Sequence, residues 1–305
     1  MKKKVFLFGL LFSLLLLCGC GVNLTSTVKL NKDFSGTRVM SCTFSSRDFH
    51  SYFKGSKEDL NKLIKESCPD ALTYTSSSSD GNDTYTFYLR FSSLDDYKKK
   101  VRDLLNFSPE ITYEYGDSPF VSGLIYKENF TSKDLMTWLY TALYEGKYID
   151  KDSSSDLWDL KSTEISFLGT TYETKDKINI DEMAYVPLSS IHIDTKTKKS
   201  GKLARVIEFD LPQQTLDQNA GKIRSYFAGN DITWENTSDG KTLCISFDAN
   251  NFSDLAQKTR TVLHSKNSFG TYNSTCSKDN PFTLKINYEE SLDLSHFIQK
   301  SQKIP

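Results

Sequence analysis

The chain has 305 residues, of which 25% are charged, and a formal net charge of −1. Residues 2–4 are lysines, so a chain that starts at residue 20 would keep 35 of the 38 basic residues against 39 acidic ones. This slightly acidic balance, without any basic cluster, excludes nucleic acid as a partner and an electrostatic membrane face. The length allows two domains, and an aromatic content of 13% favours sheet-rich cores.

The chain opens with a predicted secretory signal. The lysines at 2–4 are followed by an almost unbroken apolar run over residues 5–17. A positive segment before a short apolar run is typical of an export signal, and the run is too short for a stable membrane span. No second apolar run of spanning length follows, so the sequence predicts membrane attachment at the N-terminal end alone.

The apolar run ends in Leu17-Cys18-Gly19-Cys20, which resembles the lipobox of bacterial lipoproteins: Leu at −3, a small residue at −1 and Cys at +1. The resemblance implies that the Cys20 thiol receives a diacylglyceryl group and becomes the new N-terminus after cleavage. Cys18 is excluded, because Leu17 is too large for the −1 position. Two acyl chains anchor a protein stably, since each buried methylene contributes about 0.8 kcal/mol. Cys20 is the predicted lipidation site, at the extracytoplasmic face of the cell membrane.

A eukaryotic secreted glycoprotein is the alternative to a bacterial lipoprotein. The Asn-x-Ser/Thr acceptor triplet recurs along the chain, among other positions at Asn82, Asn106, Asn129, Asn236, Asn251 and Asn273. A chain rich in Ser, Thr and Asn produces such triplets by chance. The lipobox therefore favours the bacterial lipoprotein.

The elements after the signal begin with a hairpin and a helix. Alternating apolar and polar residues from Val28 predict a strand, a turn at 34–36 and a return strand to Phe44. Ser56 then stands where an N-cap belongs, with Asp59 three residues further on. This spacing is typical of a capping box and predicts a helix.

A second hairpin and two more helices follow in the same half of the chain. Asp80-Gly81 predicts a tight turn, and Ser93 is the predicted cap of the next helix. That helix carries an apolar stripe at helical spacing: Leu94, Tyr97, Val101, Leu104 and Leu105. A strand pair within 111–126 and a helix after Thr131 complete the order ββαββαββα.

The second half of the chain repeats the first. Four blocks keep the same order and spacing in both halves: 36–44 with 201–209, 72–81 with 232–240, 94–105 with 252–263, and 119–126 with 281–288. Chance supplies one such match but hardly four. The sequence therefore predicts an α+β protein of two related units, each made of antiparallel β-hairpins with helices packed on one face of the sheet.

The repeat sets the predicted boundaries. They are a lipoprotein signal peptide at 1–19, a first α+β repeat at 20–144, a linker with a small β element at 145–190, and a second α+β repeat at 191–305. A β-hairpin with a Gly-containing turn soon after the lipidated Cys, followed by alternating helices and hairpins, resembles the LppM-like domain lipoproteins over residues 24–130. The resemblance implies an anchored extracytoplasmic domain without an established set of catalytic residues.

Four further cysteines permit disulfides, because an exported chain with an even number of cysteines meets oxidising conditions. The neighbours in sequence are Cys42 with Cys68 and Cys244 with Cys276, each pair within one half of the chain. The alternative is four buried free thiols, and the residues leave both alternatives open. No two cysteines are close enough for a CxxC metal or redox motif.

No sequence pattern indicates catalysis, a metal or another cofactor. Nucleophile elbows and Gly-rich phosphate loops are absent from the sequence. The histidines fall in separate predicted elements without a second ligand at metal spacing, so structural roles are expected: His50, His192, His264 and His296. Adjacent carboxylates diverge on a helix, so Asp95-Asp96 is predicted to be helix-start charge. Glu289-Glu290 is predicted to be a solvated strand end.

These features predict a non-enzymatic, membrane-anchored lipoprotein that acts as a binding or scaffolding module of the cell envelope. Its predicted partners are the membrane, through the diacylglyceryl anchor, and an envelope protein or cell-wall partner. The alternative is a solute-binding lipoprotein of an ABC-type importer, which shares the signal, the lipobox and the length. Such proteins need alternating βα units around a cleft, whereas hairpins dominate this sequence.

Overall fold

The computed structural model describes residues 22–47, 53–105, 107–150, 157–265, 269–276 and 284–298. The fold is mixed α+β, with sheets formed mainly from antiparallel hairpins, as the sequence predicts. The chain divides into two compact units. The first unit comprises the described residues up to Tyr113 together with Ile125–Asp181, and the second comprises Glu114–Leu124 and the described residues from Glu182 onward.

The strands as far as residue 181 are, in chain order, β1 (Val22–Leu30), β2 (Gly36–Ser45), β3 (Thr73–Ser79), β4 (Asn82–Phe91), β5 (Ile111–Asp117), β6 (Val121–Glu128), β7 (Trp158–Phe167), β8 (Thr170–Thr174) and β9 (Asn179–Asp181). The helices of the first unit are α1 (Lys57–Ser67), α2 (Leu94–Leu105), α3 (Ser132–Leu135) and α4 (Thr137–Glu145). Six of the strands form one sheet in the order β3-β4-β2-β1-β7-β8.

Local sequence signals account for the helices of the first unit. Ser56 and Asp59 form the predicted capping box at the start of α1, and Thr131 with Asp134 forms another at α3. Strand residues alternate between buried and more exposed positions on β1, β2 and β4, so one face of the sheet is covered. The helices supply the covering side chains, among them Leu60, Ile64, Tyr97, Val101 and Leu139.

The segment 145–190, predicted as a linker with a small β element, contributes more than a linker to the first unit. Its strand β7 pairs in parallel with β1 along most of its length, and β8 extends the sheet beyond it. Thr163, Ile165 and Phe167 are buried at alternate positions, which is the period of a half-covered strand. The alternation can be read from the sequence. Nothing in the sequence indicates that β7 pairs with β1, which lies far earlier in the chain.

The second unit is built from strands β10 (Ala184–Tyr185), β11 (Ser190–Thr197), β12 (Leu203–Pro212), β13 (Ile232–Asn236), β14 (Gly240–Ala249), β15 (Phe269–Cys276) and β16 (Leu284–Ser291), with helices α5 (Gln213–Tyr226) and α6 (Phe252–Val262). Its main sheet has the order β11-β12-β14-β13, and β15 pairs with β16. The core contains a group of aromatic rings: Phe120, Phe209, Phe227 and Phe297.

The hairpin of β5 and β6 is divided between the units. Residues 114–124, at its tip, belong to the second unit, although the sequence places them in the first repeat, 20–144. Phe120 is fully buried there, with ring centroids 5.3 Å from Phe297 and 6.3 Å from Phe209. The tip therefore supplies a core side chain to the second unit.

The two main sheets share one strand order, β3-β4-β2-β1 and β13-β14-β12-β11, and α2 and α6 follow their strands at the same interval. In the first sheet Gly36 pairs with Phe91, and in the second Leu203 pairs with Ala249. The pairing equates Gly36 with Leu203, so the ungapped match of 36–44 with 201–209 is wrong by two residues.

The error arises because Gly36 and Gly201, which that match aligns with each other, have different structural roles. Gly201 has a φ of +80° in a turn with open space around it. Gly36 is a strand residue whose Cβ, if present, would lie 2.1 Å from the carbonyl oxygen of Lys29. One glycine provides left-handed backbone and the other allows close approach of two strands, so their identity does not indicate equivalent positions.

Candidate functional site

The predicted lipidation site, Cys20, lies outside the described residues. Cys42, Cys68 and Cys244 are free thiols, and the side chain of Cys276 is not among those the structure describes. Cys42 faces the covered side of β2, and burial raises the pKa of its thiol. The choice between disulfides and four buried free thiols stays a prediction.

Two of the described histidines, His264 and His192, have different surroundings. The His264 ring lies over Tyr226, with centroids 4.0 Å apart, and its Nε2 is 3.0 Å from the Tyr226 carbonyl oxygen. His192 is exposed on β11, with Nε2 3.6 Å from a carboxylate oxygen of Asp210. His50 lies outside the described residues. Across the described part of the chain, no three His, Cys, Asp or Glu side chains are placed to hold a metal ion.

A charged cluster that the sequence analysis missed lies inside the first unit. Arg38, on β2, is 1% exposed, and its Nη1 donates to Glu128 Oε2 at 2.8 Å and to Tyr97 Oη at 2.7 Å. Its Nη2 donates to Ser132 Oγ at 2.9 Å. The second carboxylate oxygen of Glu128 accepts from Tyr97 Oη at 2.7 Å and from Tyr126 Oη. This Arg38 cluster joins the sheet, α2, β6 and the start of α3.

The second unit holds a matching Arg205 cluster. Arg205 Nη1 donates to Glu290 Oε1 and to Thr259 Oγ1, both at 2.8 Å, and Nε donates to Thr195 Oγ1 at 3.0 Å. The strand pairing places Arg205 at the position in the second sheet that corresponds to the position of Arg38 in the first sheet. The prediction that Glu290 is a solvated strand end is wrong: its side chain is 11% exposed, because it neutralises a buried guanidinium.

Both clusters are interior features of the units. The side chains of Arg38 and Glu128 are 1% and 0% exposed, so they do not present charge to a ligand. A signal in the sequence does mark them: Arg38 is in phase with the inward-facing Met40 and Cys42, and Glu128 is in phase with Tyr126. A charged residue at a strand position where the alternation predicts an apolar side chain indicates a buried ion pair. Because such a residue occurs in both halves of the chain, the ion pair is expected to have a structural role.

The buried phenols make the first unit sensitive to alkali. Burial, with the nearby Glu128 carboxylate, raises the pKa of Tyr126 well above 10, and burial also raises the pKa of Tyr97. In the unfolded chain these phenols ionise near pH 10, whereas in the folded chain they keep their protons. Stability is therefore complete below pH 10 and falls above it, by up to about 1.4 kcal/mol per pH unit for each phenol.

Urea unfolding between pH 8 and pH 11 measures this dependence. Tyr126→Phe removes one of the two phenols, so its stability should fall less steeply above pH 10 than that of the wild type. A Tyr88→Phe variant, which changes a phenol on the uncovered face of β4, is the comparison protein. Equal slopes in all three proteins would contradict the assignment.

A surface groove of about 670 Å³ lies on the helical side of the first unit. We call it the three-helix groove, because α1, α2 and α4 line it. The last turn of α1 reaches it at Ser67, and α2 reaches it at Leu104 and Leu105. The helix α4 runs along it from Thr137 to Glu145. The final carbonyls of a helix carry partial negative charge, so the ends of α1 and α2 make the groove more negative.

The lining of the three-helix groove is apolar and acidic. Its apolar residues are Leu63, Leu104, Leu105, Phe107, Trp138 and Ala142, and its charged residues are Asp103, Asp134 and Glu145. None of the described residues that line it is basic. Phe107 is 47% exposed, which makes it one of the large apolar side chains that the described surface presents to solvent. The groove is a candidate binding surface within the first unit.

Trp138 is half-buried and lines the groove. Its indole meets the ring of Phe87 edge-on, with centroids 5.4 Å apart. The indole Nε1 has no acceptor among the described residues. Tyr140 and Tyr144 stack on each other elsewhere on α4, with centroids 6.3 Å apart, and do not line the groove.

Among the described residues no helix is both long and apolar enough to cross a membrane. No protein-family model matches the sequence. No curated protein matches it either. The resemblances to the lipobox and to the LppM-like lipoproteins stay predictions from the residues that carry them.

Proposed function

We propose that this protein is a membrane-anchored extracytoplasmic lipoprotein and serves as a non-enzymatic binding or scaffolding module of the cell envelope. One observation carries the proposal: Leu17-Cys18-Gly19-Cys20 closes a basic and apolar signal with the spacing of a lipobox. A diacylglyceryl group on Cys20 provides the anchor. The folded part of the chain follows at once, since β1 begins at Val22.

The chemistry of the folded part supports binding over catalysis. The buried charges of the Arg38 and Arg205 clusters are used within the protein. The lining of the three-helix groove combines apolar side chains with carboxylates, which suits recognition of a ligand. Hairpin-built sheets with β1–β7 as a parallel pair differ from the alternating βα units of importer lipoproteins, so the binding module is preferred to the solute-binding alternative.

Cys20→Ala tests the anchor. The full chain is expressed in a bacterial host that processes lipoproteins, with a clickable fatty-acid analogue in the medium. Wild-type protein should carry the label, start at residue 20 by mass spectrometry and sediment with membranes. The variant should lose the label completely and either keep its signal or appear in the medium, because Cys20 is the cysteine at the +1 position of the lipobox.

Cys18→Ala is the matched control, because it removes the neighbouring thiol and leaves the lipobox positions of Leu17, Gly19 and Cys20 intact. It should be labelled and retained like the wild type. A Cys20→Ala protein that is processed and retained without change would overturn the proposal. Loss of labelling in both variants would do the same, since it would show that the thiol alone does not define the site.

A further inference from the structure

The three-helix groove has unbalanced negative charge. Asp134 is engaged in the capping box of α3, where its carboxylate accepts from the Thr131 backbone N–H at 2.7 Å. Asp103 and Glu145 are exposed and, among the described residues, have no ion-pair or hydrogen-bond partner. The C-terminal ends of α1 and α2 add partial negative charge at the same place. The groove therefore favours a cation and disfavours an anion.

The apolar residues of the groove favour a ligand that carries apolar groups as well as positive charge. Phe107 stands at the edge and is 47% exposed, and Trp138 and Leu104 lie within the lining. Apolar side chains between helices are the usual receptors for large apolar anchors of a partner segment. Aromatic faces also attract ammonium and guanidinium groups, which strengthens the preference for Lys or Arg beside the anchor.

We infer that the three-helix groove binds a peptide segment of a partner protein in which large apolar side chains alternate with Lys or Arg. The apolar side chains enter between Trp138 and Phe107, and the cations lie over Asp103 and Glu145. The inference rests on the proposed function as a binding module and adds the chemistry of the partner. Acidic segments are disfavoured by the charge of the groove.

The test measures binding of two dye-labelled heptapeptides by fluorescence anisotropy. One alternates Lys with Leu and Phe, and the other has Glu in place of each Lys. The protein is the full chain, placed in phosphatidylcholine nanodiscs when it carries the acyl group and kept in buffer when it does not, with empty nanodiscs or buffer as the blank. The Lys peptide should bind at least about tenfold tighter than the Glu peptide, a difference of about 1.4 kcal/mol. Added salt should weaken its binding, because exposed charges are screened.

Variants locate the binding site on the protein. The double variant Asp103→Asn with Glu145→Gln should lose about tenfold in affinity for the Lys peptide, because two exposed ion pairs are removed. The control Glu164→Gln with Glu173→Gln removes the same charge from exposed positions on β7 and β8 and should bind like the wild type. Thr141→Arg places bulk and positive charge at an exposed position of the lining and should abolish binding.

Equal affinity for the two peptides would overturn the inference, and so would an equal loss in the groove and control double variants. Unchanged binding by Thr141→Arg would place the peptide elsewhere and overturn it as well. The acyl-labelling test of Cys20 has a separate readout. Failure of labelling with intact peptide binding would refute the anchor alone, and failure of peptide binding with intact labelling would refute the groove assignment alone.

Discussion

Glu128→Gln should lower the free energy of unfolding of the first unit by about 3–5 kcal/mol, because it leaves the buried Arg38 guanidinium without a counter-charge. The wild-type pair is fully enclosed, with side chains 1% and 0% exposed and an Nη1–Oε2 distance of 2.8 Å. The amide keeps the size of the carboxylate, so the loss measures charge and hydrogen bonding and not a cavity. The effect is a large part of the stability of a typical domain.

Urea unfolding followed by tryptophan fluorescence measures the loss. With Trp138 and Trp234 replaced by Phe, the remaining Trp158 reports on β7 of the first unit. Glu290→Gln is the matched variant in the second unit and should cost less, because the Glu290 side chain is 11% exposed and keeps some contact with water. A Glu128→Gln protein within 1 kcal/mol of the wild type would refute the structural role of the cluster.

Phe120→Ala should destabilise the second unit by about 3–5 kcal/mol, the usual cost of removing a fully buried phenylalanine. Its ring is 0% exposed and lies among Phe209, Phe227 and Phe297. Since residues 114–124 belong to the second unit, the loss should appear in that unit, although Phe120 stands among residues that the sequence assigns to the first repeat.

Proteins with a single tryptophan show whether the loss of stability occurs in the first unit or in the second. Trp234 on β13 reports on the second unit, and Trp158 on β7 reports on the first. Phe120→Ala should move the Trp234 transition and leave the Trp158 transition in place. Phe87→Ala, which removes a fully buried ring from β4, is the reciprocal control. The opposite pattern for Phe120→Ala would show that the hairpin tip stabilises the first repeat, as the predicted boundary at residue 144 requires.

Features set by neighbouring residues were predictable from the sequence. The Ser56–Asp59 capping box lies within one helical turn, and Asp80-Gly81 forms its hairpin with both residues at positive φ. The α+β class follows from such local signals, since alternation and helical spacing can be read along the chain. The repeat was also visible, because its helix block matches at one constant offset.

Features set by distant residues were not predictable. The pairing of β1 with β7 and the ion pair of Arg38 with Glu128 join residues far apart in the chain, and no local pattern names the partner. The three-helix groove has the same origin: Asp103 and Glu145 look like ordinary solvated helix residues until the helices are assembled. A strand glycine and a turn glycine are also alike in sequence, which explains the shifted alignment.

The position of β1 has a mechanical consequence for an anchored chain. β1 begins at Val22 and is hydrogen-bonded on both sides, to β2 and to β7, in the interior of the sheet. From a lipid-bearing Cys20 to Val22 the chain spans at most about 7 Å. A pulling force applied through the anchor would therefore act directly on an inner strand. To pull β1 out of the sheet, the force would have to break its hydrogen bonds to β2 and to β7 together. This arrangement resists the force better than an edge strand, whose hydrogen bonds can break one at a time.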